Sequence, residues 1–445
     1  MKTIPYLTAM LTALLISAIS YAQGKYTNVE LTIKRGDGVF QKKEKVEVWA
    51  LKHKEDGETL TLTLQENGKD VVKTAPLRLK AGKKKKILSK RYPDPTAVLV
   101  KVAPEGMSKT FSAVGLVVAA DEFRPGFTEP SDFVPYWEGQ VSQMRSSEMA
   151  VTLTPADIPE DRKKYRDRVE VYDLEISMHE GNPVRAYIAW PKNAAPGSCG
   201  IMICPHGSGV RSSNLNNAIF RADTYHCIVI DINAHGILNA QPEAYYQALS
   251  DGALKDYRKK KCFRREDNYF RLMYLRMQRA LDYACTLSQW DGHRVALDGT
   301  SQGGGQSAAL AGLDPRVGFV SLQVPALTDI GGPFAGHRGS WPYYGKFDES
   351  RDGDYRYVLP YYDAANFLRH YNGILFVEAG MIDTTCPPEC VYAAYNVAAS
   401  ADKTIYTTPY RDHGEKSLWE KNLDTWRATV SQARKEAIMN YLTVK

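Results

Sequence analysis

The chain has 445 residues, a formal net charge of +6, and 44% hydrophobic, 24% charged and 11% aromatic residues. That is a globular balance with no low-complexity segment or internal repeat, and it is too long for one small core, so two domains are expected. Part of the positive charge lies in the run Lys83 to Lys86, with Lys90 and Arg91. No aromatic residues interleave with it, so it reads as a solvated hairpin loop and not as a nucleic-acid or membrane patch.

Residues 1–22 have a basic start, an apolar middle and the small-residue end Ser20-Tyr21-Ala22. This is the pattern of a secretory signal peptide cut after Ala22, so an exported protein, periplasmic or extracellular, is expected. Gln23 follows, so no cysteine stands there to carry a lipid. No other stretch reaches the roughly 20 apolar residues that a membrane span needs. The seven cysteines, at 199, 204, 227, 262, 285, 386 and 390, form no Cys-x-x-Cys metal motif. Local disulfides between Cys199 and Cys204 or Cys386 and Cys390 stand against buried free thiols as equal readings.

Residues 23–122 are expected to form an all-β unit. Alternating runs occur at 29–33, 46–51, 60–64, 75–79, 97–102 and 111–119, separated by turn signals such as Gly36-Asp37-Gly38 and Glu66-Asn67-Gly68. Short strands at this spacing, without a helical pattern, predict an antiparallel sandwich of immunoglobulin-like type. Its roles are read as a spacer or docking unit, or as carbohydrate binding through Trp49.

From residue 123 to 445 the pattern changes. Pro125, Pro130 and Pro135 punctuate a linker, and 136–145 reads as a short amphipathic helix. Residues 169–176 and 184–190 alternate like a hairpin. Buried runs then recur at 200–204, 227–231, 295–298, 319–322, 374–378 and 404–407, with helical stretches at 268–287, 387–396 and 419–442. Strands alternating with helices predict an α/β unit with a mostly parallel sheet covered on both faces.

The chemistry-bearing stretch begins at Arg294. Val295 to Asp298 reads as a buried strand, Gly299-Thr300-Ser301-Gln302-Gly303 fits Gly-x-Ser-x-Gly, and a helix follows over 306–312. Strand, sharp turn and helix with a serine at the apex make a nucleophile elbow, the mark of an α/β-hydrolase. A serine hydroxyl needs a base, and the chain order in this fold is Ser, acid, His. After Ser301 the histidines are His337, His370 and His413. His413 occupies a polar loop between the last strand and the terminal helix, where the base belongs. His370 reads as a surface residue and His337 as a residue bordering the pocket. Asp383, just past the strand at 374–378, is the acid; Glu378, inside that strand, and Asp412, adjacent to the base, are rivals. The oxyanion needs two backbone N–H donors. Gln302 after the nucleophile supplies one, and Ser208 in the loop Cys204-Pro-His-Gly-Ser208 supplies the other.

Several segments resemble the acetyl xylan esterase/cephalosporin C deacetylase family of carbohydrate esterases. They are Asp132-Phe-Val-Pro-Tyr-Trp137, Cys204-Pro-His-Gly207, Gly299 to Gly305, Tyr361-Tyr-Asp-Ala-Ala-Asn-Phe367, Gly380 to Pro388 and Tyr392-Ala-Ala-Tyr-Asn396. The resemblance spans roughly residues 130 to 445. It implies an α/β-hydrolase that removes acetyl groups from sugar hydroxyls, with Ser301 as nucleophile, Asp383 as acid, His413 as base and Gln302 and Ser208 as oxyanion donors. An acetylated carbohydrate is the implied partner; no cofactor or metal is called for, and the family admits a homo-oligomer. Three features depart from the family pattern: Asn233-Ala234-His235 stands for its Arg-Gly-Gln, Gly414 interrupts its His-Glu, and the β-sandwich precedes the family core. The Gly-rich excursion over 325–357, carrying Trp341, Tyr343 and Tyr344, is expected to cap the pocket or to stack on sugar rings. The alternatives are a feruloyl esterase, other carboxylesterase or peptidase on the same residues, and a non-catalytic carbohydrate-binding protein.

Overall fold

A computed structural model describes residues 24–68, 70–107, 110–260, 262–344, 353–414 and 420–443. The expected signal peptide, Glu415 and Trp419 lie outside the described residues.

The first part is all β. Its strands are β1 (Gly24–Lys25), β2 (Val29–Ile33), β3 (Val39–Phe40), β4 (Lys45–Lys52), β5 (Leu60–Glu66), β6 (Asp70–Leu77), β7 (Lys84–Arg91), β8 (Thr96–Pro104) and β9 (Thr110–Val118). One sheet runs β1-β9-β8-β5-β6, with β3 also paired to β9; the other runs β2-β4-β7. Period-two alternation drives the packing. In β4, Val46, Val48 and Ala50 are buried while the residues between them are not, and they meet Leu60, Leu62, Val98, Val100, Val114 and Leu116 in one core.

The lysine run departs from the expected loop. Lys84 to Arg91 form a strand whose side chains are mostly exposed, paired antiparallel to β4. Lys86 bonds Glu47 at 2.8 Å and lies 5.0 Å from the Trp49 ring, and Lys90 bonds Glu66 at 2.7 Å. Backbone pairing overrides the poor strand propensity of lysine here, and charge on an edge strand discourages further pairing. The Lys86 ammonium therefore lies over the ring of the half-buried Trp49.

The second part is built on nine strands in the order β10-β11-β12-β14-β13-β15-β16-β17-β18. They are β10 (Val151–Pro155), β11 (Val169–Ile176), β12 (Val184–Pro191), β13 (Cys199–Pro205), β14 (Ile228–Ile232), β15 (Trp290–Thr300), β16 (Phe319–Gln323), β17 (Ile374–Gly380) and β18 (Lys403–Thr408). The pairs from β10 to β14 are antiparallel where β11 and β12 take part, and every pair from β14 to β18 is parallel. This is an α/β sheet of hydrolase type.

The helices are α1 (Phe133–Ser146), α2 (Leu215–Tyr225), α3 (Glu243–Asp251), α4 (Tyr269–Ala284), α5 (Gln302–Leu313), α6 (Gly353–Val358), α7 (Ala364–Leu368), α8 (Pro388–Val397), α9 (Glu420–Trp426) and α10 (Gln432–Thr443). Alternation along the buried strands assigns the faces. Ile201 and Ile203 of β13 join Phe270, Tyr274, Leu281 and Ala308 in one core, whereas Met202 and Cys204 join Ala218, Ile219, Ile438 and Leu442 in the other. Helices therefore cover both faces, which is why these strands read as continuous apolar runs. None of the seven cysteines, all of them among the described residues, stands in a disulfide, so the disulfide reading gives way to that of thiols; six are buried and Cys285 is partly exposed.

Candidate active site

The strand order reverses between β13, which leads to β14 on one side, and β15, which leads to β16 on the other. Loops leaving the carboxyl ends of these strands diverge there and leave a crevice, the usual ligand position in such sheets. Ser301 stands at the end of β15 in this crevice. Its backbone has φ 58° and ψ −125°, a conformation that costs a non-glycine residue energy and persists only where the surroundings enforce it. The neighbouring glycines make the turn feasible. A Cβ on Gly299 would lie 2.2 Å from the Gly303 carbonyl oxygen, and one on Gly303 would lie 2.2 Å from that of Pro205. The helix therefore starts at Gln302, four residues earlier than the apolar pattern suggests.

His413 Nε2 lies 2.8 Å from Ser301 Oγ, and His413 Nδ1 lies 2.8 Å from Asp383 Oδ2. Asp383 is itself fixed: its Oδ1 accepts the N–H groups of Thr385 at 2.7 Å and Cys386 at 2.9 Å. Burial opposes charge on the His413 imidazole, but Cys386 and Asp383 beside it outweigh that and raise its pKa. Burial also raises the Cys386 thiol. At neutral pH that sulfur is therefore uncharged, and Asp383 is the group that favours the imidazolium.

The rivals lie elsewhere. Glu378 is buried and pairs with Arg411 and with the indole N–H of Trp426. Asp412 Oδ1 accepts the Gly414 N–H at 2.9 Å. His370 is exposed and bonds Glu129 at 3.0 Å. His337 is buried, with its Nδ1–H donating to the Arg338 carbonyl at 3.0 Å and its Nε2 3.2 Å from Asp329 Oδ2.

The oxyanion side is held by groups that sequence reasoning singled out only in part. Gln302 N–H belongs to the first turn of α5, where backbone donors have no acceptor within the helix. The Gly207 carbonyl accepts from Arg211 Nη2 at 3.1 Å and from His206 Nδ1 at 2.6 Å, and Arg211 Nη1 donates to the Ser208 carbonyl at 2.9 Å. Because C=O and N–H of one peptide point oppositely, holding the Gly207 oxygen aims the Ser208 N–H the other way. Burial, and then Arg211, lower the pKa of His206 to about 3, so it stays neutral beside the hole.

Beneath lie His235, Tyr257 and Tyr269. His235 Nε2 donates to the Gly209 carbonyl at 3.1 Å and its Nδ1 lies 2.7 Å from Tyr269 Oη. Tyr257 Oη donates to Gln302 Oε1 at 2.5 Å and its ring stands edge-on to His235 at 4.6 Å. Burial lowers the His235 pKa to about 4, which leaves a neutral donor. The substitution of Asn233-Ala234-His235 for the family pattern was the available signal for His235. Tyr257 gave none.

Two triplets bring possible metal ligands within 4.8 Å of one another, Asp329/His337/Cys390 and Asp383/Cys386/His413. In the first, His337 and Cys390 both donate to the Arg338 carbonyl, and His337 Nε2 lies 3.2 Å from Asp329 Oδ2. The second reuses Asp383 and His413, the two residues hydrogen-bonded in a chain to Ser301.

An acetyl xylan esterase (AXE1) sequence profile matches residues 118–429. An acetyl esterase, Axe7A, from Xylanibacter ruminicola is 26% identical over 294 residues, a span of 65% of this chain and 65% of that relative. Among solved structures, an acetyl xylan esterase from Paenibacillus sp. R4 aligns with a TM-score of 0.58 at 22% identity, over 72% of this chain and 98% of its own. Acetyl xylan esterase 1 from Thermoanaerobacterium sp. JW/SL YS485 aligns with a TM-score of 0.56 at 22% identity, over 72% and 97%. These two likenesses show the fold.

Proposed function

The chain belongs to the acetyl xylan esterase family, and we propose that it is an exported serine esterase that removes acetyl groups from plant-type polysaccharides or oligosaccharides. The observation that carries the reading is the relay of two 2.8 Å contacts, Asp383 to His413 to Ser301, on a strained elbow. Ser301 Oγ attacks the acetyl carbonyl carbon while His413 Nε2 takes its proton. The carbonyl oxygen becomes an oxyanion, held by the N–H groups of Gln302 and Ser208. Asp383 stabilises the imidazolium. His413 then returns the proton to the sugar oxygen, the ester C–O bond breaks, and an acetyl-Ser301 remains. Water attacks this ester with His413 again as base, and acetate leaves as Ser301 regains its proton. Every step uses side chains and backbone of this chain.

The catalytic unit is taken as residues 123–445 and the sandwich as 23–122, with residues 1–22 as the leader. Export rests on that leader pattern. Among the described residues no helix is long and apolar enough to cross a membrane. The pairing of a β2-β4-β7 sheet with a β3-β9-β8-β5-β6 sheet supports an immunoglobulin-like sandwich. Near the site, Trp341 packs edge-on to Phe270 and Tyr344 Oη donates to the Arg258 carbonyl, which supports a cap over the crevice.

The test is acetate release from acetylated xylan and turnover of p-nitrophenyl acetate. Ser301→Ala should lose ~10³-fold or more in kcat. A wild-type protein inert toward every short acyl ester would overturn the reading. Faster release of ferulate than of acetate would move the substrate class to aryl esters.

A further inference from the structure

The family profile begins at Val118, the last residue of β9, so nearly all of the sandwich lies outside the matched span. We infer that the sandwich is a positioning element of the active site, through Gly115 of β9, which braces the loops carrying Asp383 and His413. The inference rests on the esterase reading and extends it.

Gly115 touches both loops at once. A Cβ built on it would lie 1.9 Å from the Met381 carbonyl oxygen and 2.3 Å from the carbonyl carbon, two residues before Asp383. Its N–H donates to the Pro409 carbonyl at 2.8 Å, four residues before His413. The two loops are also tied to each other: Met381 N–H donates to Thr408 O at 3.0 Å and Ile382 N–H to Arg411 O at 3.1 Å. Gly115 therefore sits where the acid and base loops join, and only a residue without a side chain permits that approach.

Further contacts fix the same seam. The Asp37 carbonyl accepts Thr407 Oγ1 at 2.6 Å, and Gly38, at φ 72°, would place a Cβ 3.1 Å from Pro409 Cγ. At the β5–β6 turn the Asn67 carbonyl accepts the Arg338 N–H at 3.0 Å. Between these points Ala97 and Val117 of the sandwich share an apolar cluster with Met381, Tyr392 and Ala393. A spacer or a tethered sugar-binding module has no use for backbone contact this close to two catalytic loops. A unit that sets the distance from Asp383 to His413 does.

Contacts under 3.0 Å are essentially never made by real Cβ atoms, so Gly115→Ala must displace Met381 by at least about 1 Å. Misplacement on that scale near reacting groups costs up to ~100-fold. The experiment uses the full chain with p-nitrophenyl acetate, kcat being expressed per folded molecule well below the melting transition. Gly115→Ala should lower kcat about 10- to 100-fold with KM within about twofold, and should shift the pH midpoint of kcat/KM that reports His413. Gly36→Ala, whose Cβ meets nothing within 4 Å, should match wild type. Val117→Ala, which thins the apolar seam without a clash, serves if Gly115→Ala does not fold; it should lower kcat several-fold and move the same midpoint. If either variant loses melting temperature yet keeps wild-type kcat and pH profile, the sandwich is structural only and the inference fails. A wild-type protein that cleaves no acetyl ester would instead overturn the esterase reading, and this inference with it.

Discussion

Replacing Asp383 with asparagine tests the relay at its most exacting point, because the structure dictates which way the new amide must face. Asp383 Oδ1 accepts two backbone N–H groups, from Thr385 and Cys386, and Oδ2 faces His413 Nδ1 at 2.8 Å. In the variant the two backbone donors require the amide oxygen. The NH₂ then points at His413 Nδ1 and donates to it, so the imidazole proton moves to Nε2, the nitrogen facing Ser301 Oγ. A protonated Nε2 cannot accept the serine proton. The reverse orientation would set the NH₂ against two N–H groups and leave both unsatisfied, at about 1–3 kcal/mol each. The wrong-tautomer state therefore dominates. In serine hydrolases of the triad type this tautomer change costs ~10⁴ in kcat, or about 5 kcal/mol of barrier. The assay is steady-state hydrolysis of p-nitrophenyl acetate, with active serine counted by burst amplitude and folding checked by melting temperature. We expect kcat to fall ~10⁴-fold, KM to change little and the melting temperature to hold. A variant retaining kcat within about tenfold of wild type would refute the assignment of Asp383 as the orienting acid.

Tyr257→Phe should lower kcat about tenfold while KM stays near wild type. It leaves Gln302 Oε1 without its buried donor and loosens the residue whose N–H faces the oxyanion, a loss on the order of 1–3 kcal/mol, read by kcat and KM on one acetyl ester. Stability should fall as pH rises from about 5 to 8. Burial raises the carboxyl pKa values of Asp231 and Asp363 to about 6 and of Glu389 to about 7, and raises that of Asp329 well above its ordinary value. The folded state thus binds more protons than the unfolded one, and unfolding free energy declines with pH across this window. His206 and His235, held neutral by burial, act oppositely below pH ~6.5, but two histidines offset only part of four carboxyls. The net slope is on the order of 1–3 kcal/mol per pH unit, measured by urea unfolding at pH 5, 6, 7 and 8. Glu389→Gln should flatten it above pH 6, and a slope of opposite sign would refute the raised carboxyl pKa values.

What was legible in the sequence follows from what each residue answers to. The runs at β13 to β18 declared themselves because strands buried on both faces must be apolar throughout, whatever their partners. Ser301 showed through the steric demand of its turn, which requires glycine at 299 and 303. Asp383 and His413 could be ordered along the chain because each leaves the end of a strand, and the structure brings both within hydrogen-bond reach of one chain of contacts. The lysine strand at 84–91 was not legible, since its pairing to β4 is a tertiary choice that its composition opposes. Tyr257 was silent for a different reason. A tyrosine in an irregular segment reads the same whether it faces water or a buried glutamine. Gly115 was equally silent, because a glycine inside an alternating run reads as a weak point in a strand and carries no mark of what it touches.

The two halves of the site need different support, and the sheet order explains why. The oxyanion loop leaves β13, directly beside β15, so it reaches Ser301 with little travel. Contacts from its own neighbourhood, at Arg211, His235 and Tyr257, suffice to hold it. The segment carrying His413 leaves β18, three strands from β15, and must cross roughly 14 Å at the ordinary strand spacing. The segment carrying Asp383 leaves β17, two strands away. Segments that overhang a sheet edge for that distance carry few backbone bonds to the sheet and would sample many arrangements. Here they are braced to each other through Met381–Thr408 and Ile382–Arg411, anchored below by the buried Glu378–Arg411 pair, and backed from outside by Gly115 and Val117. The far side of the crevice is thus the side that an added sandwich can serve. It is there that the strands of the first part come into contact with the segments that lead to Asp383 and His413.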